Sequence, residues 1–150
     1  MFSKIVSLLK GEAAQEAGSA DPLHLATAVL MIEVAMADGH ASDDELAALK
    51  QCLADEFELT DGDVDPLITE ARESHTAALD MYTFTRVVAA ELDQEGRQQI
   101  VKLLWRVALA DNHIENFEEN ALAKTAGLLG VRPADRVRLK QEVEAEKASA

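Results

Sequence analysis

Two short stretches of this chain carry aspartate, histidine and glutamate in the same order, 73 positions apart. Carboxylate oxygens are the ligands that hard divalent cations such as Ca²⁺ and Mg²⁺ prefer in proteins. The pattern therefore predicts a divalent-cation site built from both stretches. The candidate metal ligands are Asp38 and Glu45 in the first stretch and Asp111 and Glu118 in the second.

Each stretch also places a histidine two residues after its aspartate, His40 in the first and His113 in the second. Imidazole binds Zn²⁺ and other transition metals, so both are candidates for additional ligands. The sequence has no His-x-x-x-His, no Glu-x-x-His and no cysteine pair, which favours Ca²⁺ or Mg²⁺ over Zn²⁺. The other two histidines, His24 and His75, stand isolated and are interpreted as structural or solvated.

A purely structural role explains the same carboxylates. The two aspartates can accept backbone hydrogen bonds within their loops, and Glu45 can close a capping box with Ser42. Glu118 fits this interpretation less well, because the residue three positions earlier, Glu115, is a poor N-cap. Helix capping and cation binding both remain open from the sequence.

The two stretches belong to an internal repeat. Residues 33–49 match residues 106–122 without a gap, and 8 of the 17 aligned positions are identical. A repeat longer than one helix indicates two copies of a supersecondary unit, related by a pseudo-twofold axis. One aligned pair inverts its charge, Glu33 against Arg106, within apolar helical runs. If the long helices cross near the axis, these two side chains are expected to pair, since an unpaired charge there is costly.

Apolar spacing and capping residues predict helices throughout, and no stretch alternates with period two for long enough to indicate a strand. The predicted fold class is all-α, with about seven or eight helices in two pseudo-symmetric repeat halves. The predicted starts and ends are Asp21-Pro22 to Ala37, Ser42 to Phe57, Asp65-Pro66 onward, Asp80 to Leu92, Gln94 to Ala110, Glu115 to Leu129, and Pro133 into a Glu/Lys/Ala tail that frays.

The chain divides into two segments. Residues 1–20 are predicted to form a short amphipathic helix and a linker, and residues 21–150 one helical domain whose repeats cover about 23–60 and 96–131. The N-terminal apolar run is too short for a secretory signal, so the expected compartment is the cytoplasm.

Composition narrows the function classes. The 150 residues are 48% hydrophobic and carry a net charge of −14. Such a surface repels phosphate backbones and anionic lipids, so nucleic acid is excluded as a partner and membrane contact is not expected. The single cysteine, Cys52, is predicted to pack in the core, and no catalytic or organic-cofactor residues are identified. The expected partners are proteins of unknown identity, and a homo-oligomer stays open.

The repeated motif Ala-Asp-Gly-His, followed by a helix-starting glutamate, resembles the TerB family of tellurite-resistance proteins. The similarity is strongest over Val107–Glu119 and Leu128–Val131, and it extends over about 23–143. The second copy departs from the family pattern, with Asn112 in place of glycine and Glu115 in place of an Asp or Ser N-cap. If only one loop binds a ligand, the first copy is therefore favoured.

The resemblance implies an all-α fold with two pseudo-symmetric halves and a divalent-metal role for the acidic loop residues. It also implies a non-enzymatic protein of tellurite resistance or the stress response. Two alternatives come from the residues themselves: an acidic adaptor that binds proteins without metal, and, ranked lower, a metal-assisted hydrolase that uses the paired carboxylates.

Overall fold

The computed structural model describes residues 20–149, which form seven α-helices and no strand. This confirms the all-α fold class, while the helix and linker predicted for residues 1–20 fall almost wholly outside the described residues. No described helix is long and apolar enough to cross a membrane. The helices are α1 (Pro22–Ala35), α2 (Asp43–Phe57), α3 (Asp61–Ala77), α4 (Tyr82–Glu91), α5 (Gln94–Ala108), α6 (Asn116–Leu128) and α7 (Pro133–Ser149).

Helix α1 is the centre of the core. It is buried on nearly every side, with Leu30 and Met31 fully enclosed, and it packs against α2, α3, α4, α5 and α6. Its start is set by Asp21, whose side chain accepts a hydrogen bond from the Leu23 N–H at 2.8 Å, and by Pro22 at the first helical position. A helix that is apolar all round must be enclosed by its neighbours, so the other helices are arranged around it.

The three-helix unit α1–α2–α3 recurs as α5–α6–α7. Within each unit the long helix packs on the third helix, α1 on α3 and α5 on α7. The units meet where α1 packs on α5, and each short helix packs on the long helix of the other unit. Helix α4 connects the units and has no counterpart. The two predicted pseudo-symmetric halves are therefore present.

The capping box predicted at Ser42 and Glu45 is confirmed. The predicted start of the third helix at Asp65-Pro66 is wrong, because α3 begins at Asp61. The backbone N–H of Thr60 donates to Asp63 Oδ2 at 3.2 Å, which caps the helix one turn earlier. Pro66 therefore lies inside α3, in its second turn, although proline lacks the N–H that would bond to the carbonyl of Gly62.

Both long helices end two residues before the predicted positions. The loops that follow contain Gly39 at φ 104° and, at the equivalent position, Asn112 at φ 64°. Asparagine is one of the few residues that tolerates the left-handed region. The replacement of glycine by Asn112 therefore preserves the conformation of the loop.

The predicted pairing of Glu33 with Arg106 is wrong. Glu33 Oε1 lies 2.8 Å from His75 Nε2 on α3, so His75 is not isolated. Arg106 on α5 donates from Nε and Nη2 to the two carboxylate oxygens of Glu146 on α7, at 3.1 and 3.0 Å. Each charge is therefore paired within its own half. The acidic residue is on the long helix in the first half and on the third helix in the second half.

The predicted fraying of the C-terminal tail is also wrong, since α7 continues to Ser149. Contacts to α5 hold this last part of the helix. Glu146 pairs with Arg106 and Lys102, and Lys147 Nζ donates to the carbonyl of Leu109 at 2.7 Å. Tertiary contacts of this kind stabilise a helix that local propensity alone would not.

A double-mutant cycle on Arg106→Ala and Glu146→Ala should give a coupling free energy of roughly 0.5–1 kcal/mol in urea unfolding, because the pair is bidentate but partly exposed. The matched cycle on Arg106→Ala and Glu33→Ala should be additive within about 0.5 kcal/mol. Coupling in the second cycle and none in the first would contradict the observed pairing.

Candidate functional site

The two repeat loops, here called loop 1 (residues 36–42) and loop 2 (residues 109–115), connect a long helix to a short one in the same way. In loop 1 the Asp38 Oδ1 atom accepts a hydrogen bond from the His40 N–H at 3.3 Å. In loop 2 the Asp111 Oδ1 atom accepts from the His113 N–H at 3.1 Å. Both aspartates thus stabilise their own loops.

The glutamates cap the short helices that follow. Glu45 Oε1 accepts from the Ser42 N–H at 2.9 Å, and Glu118 Oε1 accepts from the Glu115 N–H at 3.2 Å. The capping role that the sequence left doubtful for Glu118 is therefore present. Both residues are buried, 3% and 2% exposed, which is uncommon for glutamate.

These two buried glutamates meet across the interface between the halves. The Glu45 side chain lies close enough to Glu118 to raise its pKa, and two carboxyl groups can share a hydrogen bond only when one of them carries a proton. Glu45 Oε2 is buried, and no other hydrogen-bond donor of residues 20–149 reaches it. A proton on Glu118 would supply the donor that this oxygen lacks.

The surroundings hold Glu118 in its neutral form. Burial, with the Glu45 hydrogen bond next in size, raises the pKa of Glu118 to about 8, and the negative charges of Glu45 and Asp38 act in the same direction. The Glu115 N–H opposes this shift because it favours the charged form. Asp38 and Glu45 of the first repeat therefore lie within electrostatic range of Glu118 in the second, and Asp111 occupies the matching position in loop 2.

The histidines lie apart from this buried pair. His40 is exposed, and the His113 side chain is 71% exposed with its Nε2 atom 2.8 Å from Glu115 Oε1. Cys52 packs in the core as predicted, and burial raises the pKa of its thiol to about 11, so it is not a nucleophile at neutral pH.

The four loop carboxylates, Asp38, Glu45, Asp111 and Glu118, are oxygen donors of the kind that hard cations bind. Each of the four carboxylates uses one oxygen for its own loop backbone, which leaves the second oxygen of each for another partner. In the arrangement seen, no three Asp, Glu, His or Cys side chains among residues 20–149 are grouped closely enough to hold an ion. The side chains would have to rotate toward one another to do so.

Sequence reasoning missed Lys147. Its Nζ atom donates to the carbonyls of Leu109 and Ala110, at 2.7 and 3.5 Å, at the C-terminal end of α5 beside Asp111. An ammonium group at this position interacts favourably with the negative end of the α5 dipole. No local signal marks this lysine, because it lies on α7 and is separated from loop 2 by more than thirty residues.

The variant Glu118→Gln should reduce the dependence of stability on pH. A raised pKa in the folded state contributes stability that is complete below the unfolded pKa, near 4.5, and is lost as pH rises through about 8. Glutamine provides an N–H donor for Glu45 at every pH. The unfolding free energy of the variant, measured by urea unfolding, should therefore fall less between pH 5 and pH 9 than that of the wild type.

The control for this experiment is Glu119→Gln, which neutralises the neighbouring, more exposed glutamate. Its pH dependence should follow that of the wild type. Parallel pH profiles for the wild type and Glu118→Gln would show that no proton is held at this position.

No curated protein matches this chain, and neither does any solved structure. A family model, described as tellurite resistance protein TerB, matches residues 24–141 and thus covers most of the chain, including both repeats and both loops. Together with the all-α fold and its two halves, this match establishes that the chain belongs to the TerB family.

Proposed function

We propose that this TerB-family protein is a non-catalytic, cytoplasmic protein of the tellurite or stress response that binds a divalent cation between its two repeat loops. The proposed ligands are the free oxygens of Asp38, Glu45, Asp111 and Glu118. The observation that carries the proposal is the burial of Glu45 close to Glu118, with one Glu45 oxygen that no hydrogen-bond donor of residues 20–149 reaches.

Helix capping alone does not explain that contact. A capping glutamate needs one oxygen for the backbone N–H and can leave the other in water. Here both glutamates are withdrawn from water and directed at each other, which is costly unless a proton or a cation neutralises them. A divalent cation can take the place of the shared proton, because it satisfies both carboxylates at once.

The ligand chemistry favours Ca²⁺ or Mg²⁺ over Zn²⁺. All four proposed ligands are carboxylates, whereas Zn²⁺ sites are rich in histidine and cysteine. Ca²⁺ accepts irregular oxygen geometry and Mg²⁺ requires a near-octahedral arrangement, so a site that forms by side-chain rotation suits Ca²⁺ better. The exposed His40 and His113 are not required in this site.

Such an ion would connect the halves. Asp38 and Glu45 belong to the first repeat, and Asp111 and Glu118 to the second, so one ion bound by both sets joins loop 1 to loop 2. Binding to the folded state alone stabilises that state by mass action. The proposed role is therefore a cation-dependent stabilisation of the arrangement of the two repeats.

Chelator-stripped protein should be melted with and without Ca²⁺, Mg²⁺, Mn²⁺ or Zn²⁺. A site saturated at about 100 times its dissociation constant adds ~2.7 kcal/mol, which corresponds to a rise in Tm of roughly 5–10 °C for a chain of this size. The rise is expected with Ca²⁺ or Mg²⁺ and should disappear in Asp38→Asn/Asp111→Asn, whose amides can still accept the loop hydrogen bonds.

The matched control is Asp55→Asn/Asp61→Asn, which removes the same charge from two exposed positions. Its response to cations should equal that of the wild type. If no ion raises Tm, the four carboxylates are capping groups only; an equal loss of response in both double variants would mean diffuse attraction to the acidic surface.

A further inference from the structure

Beside loop 1, the first half contains a small cavity that the proposed cation site does not use. This notch, of about 100 Å³, is enclosed by apolar side chains of α1, loop 1 and α2 and by one side of α3. Ile32, Ala41 and Leu46 lie on its apolar wall. Its α3 side is lined by Arg72, His75 and Thr76.

The lining of this notch differs from the equivalent residues of the second half. The repeat aligns Ile32 with Trp105 and Ala41 with Ile114, so the second half has larger side chains at both positions. In each half an ion pair joins the long helix to the third helix, Glu33 with His75 and Arg106 with Glu146. Superposing these two pairs aligns the sequence of α3 with that of α7. In that register, Thr76 corresponds to Lys147.

Lys147 of the second half indicates which chemical group could bind at the end of α1. Its ammonium donates to the carbonyls of Leu109 and Ala110 at the end of α5. The equivalent carbonyls in the first half are those of Met36 and Ala37, and no lysine or arginine of residues 20–149 donates to either. Arg72 lines the same notch without bonding to them. Among residues 20–149, no cation at the end of α1 corresponds to the one that stabilises the end of α5.

Charge is distributed unequally between the two halves. Residues 21–93 contain 17 Asp and Glu against three Lys and Arg, whereas residues 94–149 contain nine of each. The first of these segments therefore accounts for the whole net charge of −14. The notch lies in this acidic half, whose field raises the local concentration of cationic groups and steers them toward it.

We propose that the notch binds a lysine side chain from a basic segment of a partner protein. The ammonium donates to the carbonyls of Met36 and Ala37, as Lys147 does to their counterparts, and the methylene stem packs against the apolar wall, where long cationic side chains commonly bury their stems. The acidic residues of α2 and α3 attract the rest of the basic segment. This interaction is independent of the cation proposed for the loop carboxylates.

The test uses the full chain and a short peptide of alternating lysine and glycine, with binding measured by fluorescence anisotropy at low salt. In Thr76→Lys the protein's own lysine would occupy the notch and compete with the peptide, so peptide binding should weaken by about tenfold or more. Thr83→Lys adds the same charge at an exposed position on α4 and should change binding by less than about threefold. A peptide with acetylated lysines should not bind.

The same two variants give a second readout. Thr76→Lys should raise Tm relative to Thr83→Lys, because the new ammonium reaches the carbonyls at the end of α1 as Lys147 reaches those of α5. Absence of peptide binding to the wild type overturns the proposal. Equal weakening by both variants also overturns it, since that result means diffuse attraction to the acidic half. Neither variant alters a proposed cation ligand, so Ca²⁺ binding is tested separately.

Discussion

The packing of α1 against α5 determines the rest of the structure. Each long helix contacts the third helix of its own half on one side. On another side it contacts the short helix of the other half. The loops follow the ends of these two helices, and Glu45 at the start of α2 lies within electrostatic range of Glu118 at the start of α6. The proximity of Glu45 to Glu118 inside the protein is therefore a consequence of how the two long helices pack.

The two halves share a backbone plan but differ in electrostatics. The ion pair between the long helix and the third helix occurs in both, with its polarity inverted. The second half balances its acids with lysines and arginines on α5 and α7, and it caps the end of α5 with Lys147. Residues 21–93 of the first half and α4 carry 17 Asp and Glu against three Lys and Arg, and this excess is the basis for the proposed attraction of cationic partners.

Local signals in the sequence were reliable where neighbours in the chain carry the interaction. The capping box at Ser42 follows from residues three positions apart, and the repeat follows from comparing two segments of the sequence directly. The start of α3 was wrong because two local signals competed and the Thr60–Asp63 turn outweighed the proline. The fraying of α7 was wrong because its stability comes from α5.

The sequence by itself determined the helical class and the two-copy organisation, since these depend on hydrophobic periodicity and on the repeated order of residues, and it placed the four acidic residues at matching positions of the repeat. Only the tertiary structure decided that two of those acids are buried together, that Glu33 pairs with His75 rather than Arg106, and that Lys147 caps α5. The physical reason is that burial and long-range pairing depend on the relative positions of helices in space, which local propensities do not encode.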